Sequence, residues 1–147
     1  MKYFVLLIVI HLSASSHIDP NTYFKERIEL QNNSWKLDGQ CLETENEDGF
    51  ILNPYLESNA DEIASKWGYY ISFTENTFQT SYRARCGVDC FTSVSGTSLW
   101  VGSNKIEFFV SKISRGKYCP QTSETPNKSF GIYELKTNAE RIFLERI

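Results

Sequence analysis

Four cysteines, Cys41, Cys86, Cys90 and Cys119, are the residues of this 147-residue chain whose type and spacing specify chemistry most directly. A structural zinc site takes paired C-x₂-C knuckles or histidines. Cys86 and Cys90 are separated by three residues rather than two, and the two histidines are His11 and His17. An even number of cysteines in an exported chain reads instead as two disulfides, with three pairings open. A Cys86–Cys90 bridge closes a small ring and constrains the unfolded chain least. Cys41–Cys86 with Cys90–Cys119, or Cys41–Cys90 with Cys86–Cys119, ties distant segments together, and this cross-loop class is the expectation.

Nucleophilic catalysis needs a histidine held inside the fold, and His17 lies near the start of the chain. Carboxylates are abundant, but none sits in a glycosidase-like motif. Glu43, Glu45, Glu47 and Asp48 precede Gly49 without the spacing of a calcium loop, and read as a solvated acidic stretch. The expectation is a protein that is not an enzyme, with no catalytic residue, no metal and no cofactor. Fifteen Lys and Arg face 18 Asp and Glu, and the basic residues are scattered, which argues against nucleic acid as a partner.

The N-terminus specifies a compartment. Lys2 is a short positive region, Tyr3 to Leu12 is an apolar run too short to span a bilayer, and Ser13-Ala14-Ser15-Ser16 offers small residues for cleavage after Ser16. Residues 1–16 thus read as a signal peptide, 17–33 as a helical segment and 34–147 as one β domain. Such a chain is expected to be secreted, extracellular or, in a bacterium, periplasmic, and to carry no membrane anchor. Removing residues 1–16 takes away Lys2 and no acid, which leaves a net charge of −4 in place of −3.

Asp19 as N-cap, Pro20 at the first helical position and Ile18 packing on Tyr23 predict a short N-terminal helix ending near Gln31. From Ser34 the hydrophobic period becomes two, as in half-buried strands. Strands are predicted at 34–42, 69–74, 78–85, 97–102, 105–113, 130–137 and 141–147, with a helical turn or two at 59–66. Short Asn-containing turns fall at 75–76, 103–104 and 138–139. The fold class is all-β: an antiparallel meander forming a small barrel or strongly curved sheet. Counting strand directions puts these turns at one end. The connections 43–68, 86–96 and 114–129 fall at the other, with all four cysteines. A further strand at 49–53 would alter that count for Cys41.

Over roughly residues 34–147 this layout resembles the lipocalin-like (calycin) proteins and the META/HslJ-like domains. The resemblance is carried by Trp35 opening the first strand, the apolar hairpin Ile71–Phe78, the Lys105-Ile106-Glu107-Phe108-Phe109 strand after an Asn turn, and the closing run Ile132–Ile147. Asn33 stands where the lipocalin Gly-x-Trp signature has glycine. A barrel that binds at its open end is what the resemblance implies.

Strand alternation itself points Trp35, Tyr69, Phe73, Phe78, Tyr82, Phe108 and Tyr133 inward. These rings either line an apolar cavity or fill a narrow barrel. The candidate ligand-binding set is Trp35, Tyr69, Phe73, Tyr82, Phe108 and Tyr133. The expected function is non-enzymatic binding of a small apolar molecule or a partner protein at the open end. The alternative is an extracellular inhibitor or effector that acts through disulfide-tied loops. Sequons at Asn32 and Asn127 are glycosylation sites if the source is eukaryotic.

Overall fold

The computed structural model describes residues 30–31, 33–38, 42, 49–55, 67–84, 88, 90–138 and 141–147. The expected signal peptide, the 59–66 helical turn and all of the N-terminal helix before Leu30 lie outside these residues. Eight antiparallel strands form a closed barrel: β1 (Ser34–Asp38), β2 (Phe50–Pro54), β3 (Gly68–Thr74), β4 (Thr77–Arg83), β5 (Thr92–Trp100), β6 (Lys105–Arg115), β7 (Lys128–Asn138) and β8 (Arg141–Arg146).

A plain meander runs from β3 to β8. Closure is supplied by the β1–β2 hairpin, which sits between its two edges: β1 pairs with β3, Trp35 opposite Ile71, and β2 pairs with β8, Phe50 opposite Leu144. A closed sheet leaves no unpaired edge. Phe50–Pro54 is the further strand that the sequence raised at 49–53, and Leu42, the expected end of the first strand, lies in a turn. Cys41, whose end of the barrel that strand was expected to alter, lies outside the described residues. β2 finishes at the end where β1 began, whereas β3 starts at the opposite end.

β5 starts five residues earlier than predicted, at Thr92. Its inward side carries Thr92 and Ser98, both buried, so hydrophobic alternation is weak there. Two polar groups repair the weakness. Thr80 Oγ1 accepts a 2.8 Å hydrogen bond from the Val94 amide, just above the point where β4–β5 pairing stops at Gln79–Ser95. The Ser98 amide donates to the Asn76 carbonyl at 2.9 Å. Gly96 marks a bulge against β6, where a Cβ would lie 2.0 Å from the Phe109 carbonyl oxygen, so no side chain fits. At Gly49, with φ of 94°, an added Cβ would likewise lie 1.9 Å from the Leu144 carbonyl oxygen of β8.

The turn end of the barrel is plugged from within. Leu30 is fully buried in the core, and the Trp35 indole Nε1 donates to its carbonyl at 3.2 Å. Gln31 Nε2 donates to the Glu75 carbonyl in the β3–β4 turn, which ties the entering chain to that end. Glu75 itself has φ of 45°, the left-handed geometry a two-residue hairpin requires.

On the outer wall Tyr70 is only 3% exposed although its strand position faces outward. Tyr55 meets its edge at 5.2 Å between centroids, and the Arg83 guanidinium lies 4.5 Å over its ring. Burial holds the Tyr70 hydroxyl above the usual tyrosine pKa of 10.0. Arg83 pulls the other way, and Tyr55 adds a smaller upward contribution.

Two outcomes follow from this packing. Trp35→Ala should destabilise the domain by about 3–5 kcal/mol in denaturant unfolding, the cost of deleting a large buried ring. A loss below about 1 kcal/mol would place Trp35 outside the core. Because the folded-state pKa of Tyr70 is raised, the stability it contributes is complete below the unfolded-state value and is lost as pH rises through the folded-state value. Between about pH 9 and pH 11 the Tyr70→Phe variant should therefore lose less stability than the wild type, measured as the shift in urea midpoint.

Candidate functional site

The six rings expected to bind a ligand divide into two groups. Trp35, Phe73, Phe108 and Tyr133 are at most 5% exposed and belong to the core. Phe108 packs on Phe73 at 6.1 Å, on Phe78 at 5.0 Å and on Tyr133 at 5.5 Å, and Tyr133 packs in turn on Phe50 at 5.5 Å. This chain of rings crosses the interior from β3 and β4 through β6 and β7 to β2. Its one polar tip is satisfied internally, since the Tyr133 hydroxyl donates to the Phe130 carbonyl at 3.2 Å. Eight-stranded barrels are just wide enough for side chains to fill, and in this layer the rings fill it.

Tyr69 and Tyr82 sit higher, towards the loop end, and are half-buried. Their rings lie 4.7 Å apart, and Tyr82 stacks on Phe91 at 5.3 Å with planes 25° apart. Phe91 was not in the expected set, because it follows Cys90 in what reads as a loop. The half-buried ladder Tyr69–Tyr82–Phe91 thus continues the core upward to the connection 84–91.

That connection is bound to its neighbour 116–127. Cys90 and Cys119 form a disulfide, with Cα atoms 4.4 Å apart. The Gly116 amide donates to the Phe91 carbonyl at 2.8 Å, and the Cys119 amide donates to the Gly116 carbonyl at 3.0 Å, closing a four-residue turn. Beyond the turn the chain pairs with β6 once more: Ile113 and Glu124 exchange backbone hydrogen bonds of 2.9 and 2.8 Å. Arg115, whose side chain is 9% exposed, bonds the Glu124 carboxylate at 2.6 Å and also donates to the Thr122 carbonyl. The Arg115 guanidinium, largely buried and hydrogen-bonded to two partners, holds the returning loop on β6, while the Glu124 carboxylate stays half-exposed.

The pinned loops present apolar groups to solvent. Tyr118, at the tip of the 116–119 turn, is 55% exposed, and Val88 is 66% exposed. Lys117 lies beside Tyr118, its Nζ 5.9 Å from the ring centroid. Position next to a cysteine is the one sequence signal that picks out both Phe91 and Tyr118.

Two further grooves lie on the outer wall. One, of about 360 Å³, is lined by Ser72, Thr74, Thr77, Gln79, Ser95 and Thr97 among others. The other, of about 520 Å³, runs over Ile51 and Phe143 between Asp38 and Lys136. Neither is lined by Trp35, Tyr69, Phe73, Tyr82, Phe108 or Tyr133. Among the described residues no cluster of His, Cys, Asp and Glu is placed to hold a metal, and no helix is long and apolar enough to cross a membrane.

The Cys90–Cys119 bond excludes the local Cys86–Cys90 bridge and the Cys41–Cys90, Cys86–Cys119 pairing. Cys41 and Cys86 lie outside the described residues. In register, Lys36 of β1 opposes Tyr70, and Gly68 opposes Arg83 of β4, so Asp38 and Arg83 share one row across β3. Cys41 and Cys86 each follow that row by three residues. Proteolysis without reduction should release a Cys90–Cys119 peptide and a Cys41–Cys86 peptide, with no free thiol. Replacing both Cys90 and Cys119 by serine should cost about 3–4 kcal/mol on the loop-entropy scale. A peptide linking Cys86 to Cys90 would contradict the fold of this end.

No known protein family, curated protein or solved structure matches the chain.

Proposed function

We propose that the chain is a secreted, non-enzymatic binding protein that engages a partner protein through the disulfide-tied loops at one end of its barrel. The observation that carries this reading is the contrast between the two parts of the site. The interior rings pack on one another, whereas Tyr118 and Val88 stand in solvent on loops held by a disulfide, a turn and an ion pair to the buried Arg115 side chain. Exposed aromatic side chains on a rigid base are what protein interfaces use as anchors, because little conformational entropy is lost on binding.

A small apolar ligand is the second reading. The half-buried ladder Tyr69–Tyr82–Phe91 favours it, since a flat molecule could stack there without entering the filled layer below. Secretion rests on the N-terminal run of the sequence, and the Cys90–Cys119 disulfide is consistent with an oxidising compartment.

Amine cross-linking in the native secretion fluid, followed by peptide mapping, tests the partner reading. Cross-links to another protein should map to Lys117 and Lys128 at the loop end and should be lost in Tyr118→Asp. Cross-links confined to Lys105 at the opposite end would overturn the reading. A stoichiometric small molecule found by native mass spectrometry would replace it with the second.

A further inference from the structure

We propose that Asn127 is an N-glycosylation site, the acceptor for one oligosaccharide at the edge of the loop end when the chain is exported through a eukaryotic secretory pathway. This rests on the export of the chain and not on the identity of any partner.

Asn127-Lys128-Ser129 has the acceptor pattern, which by itself is a weak signal. Placement adds the weight. Asn127 is exposed and holds φ of 47°, the left-handed geometry that asparagine tolerates better than most residues. Lys128 and Ser129 are exposed as well, on the first two residues of β7, where pairing with Val110 and Phe109 of β6 fixes their backbone. Phe130 is the first residue of β7 to enter the core. A sugar on Asn127 therefore displaces no packed side chain and leaves the barrel ladder intact. The Ser129 hydroxyl, which the acceptor pattern requires, accepts from the Gly131 amide at 3.2 Å and remains at the surface. The second sequon, at Asn32, lies outside the described residues.

The step is a group transfer from a lipid-linked oligosaccharide diphosphate. The carboxamide nitrogen of Asn127 forms a bond to C1 of the first sugar, and the bond from C1 to the diphosphate oxygen breaks. The lipid diphosphate departs, and one amide proton passes to a base of the transferase. The attached glycan would flank the 116–127 loop at the end opposite its Lys117-Tyr118 tip. It would leave that tip clear while limiting approach from the β7 side.

The test uses the full chain secreted from cultured insect cells. Intact and peptide masses are compared before and after treatment with peptide N-glycosidase. One oligosaccharide should be released per chain from the peptide containing Asn127, leaving a carboxylate at that position. Asn127→Gly keeps the left-handed turn and removes the acceptor nitrogen, so it should keep the unfolding midpoint and lose the glycan. If that variant is not exported, Ser129→Ala provides the same loss with Asn127 in place. A chain recovered with position 127 unmodified, or a glycan that persists in both variants, overturns the proposal. Neither result bears on whether Tyr118 and Val88 contact a partner.

Discussion

Phe108 is the side chain on which the rest of the domain depends. Fully buried on β6, it meets Phe73 and Phe78 on one side and Tyr133 on the other, so strands that share no hydrogen bonds are held through a single ring. Tilted and edge-on aromatic pairs of this kind contribute about 0.5–1.5 kcal/mol each beyond the area they bury. An eight-stranded barrel has little interior volume, and what these rings occupy no ligand can. The groups left for solvent to reach are those of the loops and the outer wall, Tyr118 and Val88 among them.

At the loop end the restraints come in kinds that reinforce one another. The disulfide joins two connections, the backbone bonds of Gly116 and Cys119 set the turn between them, and the Arg115–Glu124 pair clamps the returning chain on β6. Losing one still leaves the others to hold the loop. The opposite end needs no such device, because its turns are short and Leu30 with Trp35 closes it from inside.

Much of this architecture was legible in the residues. Phe78, Thr80 and Tyr82 alternate with Gln79, Ser81 and Arg83, and the structure points the first set inward. Trp35, Phe73, Phe108 and Tyr133 were identifiable as interior for the same reason. The same pattern serves a lined cavity and a filled core, so alternation alone could not decide between them. The first half of β5 was hidden because Thr92 and Gly96 put a polar and an absent side chain on the inward face. Phe50–Pro54 was visible only as an optional strand at 49–53, since five residues are too few to establish a period. Phe91, Tyr118 and Val88 escaped because loops carry no period; their proximity to Cys90 and Cys119 was the available clue.

The order of strands has a consequence for how the molecule comes into being. The meander β3 to β8 can assemble hairpin by hairpin from near neighbours, but the barrel cannot shut until Phe50 finds Leu144, almost the whole domain away along the chain. Pairings so distant in sequence are slow, because the loop entropy must be lost before the contact rewards it. A ribosome delivers β1 and β2 first and their partner β8 last. For that interval the hairpin and the growing meander each carry bare strand edges, the features most prone to pair with another chain. Those edges are covered only when the final strand has arrived and β8 takes its place between β2 and β7.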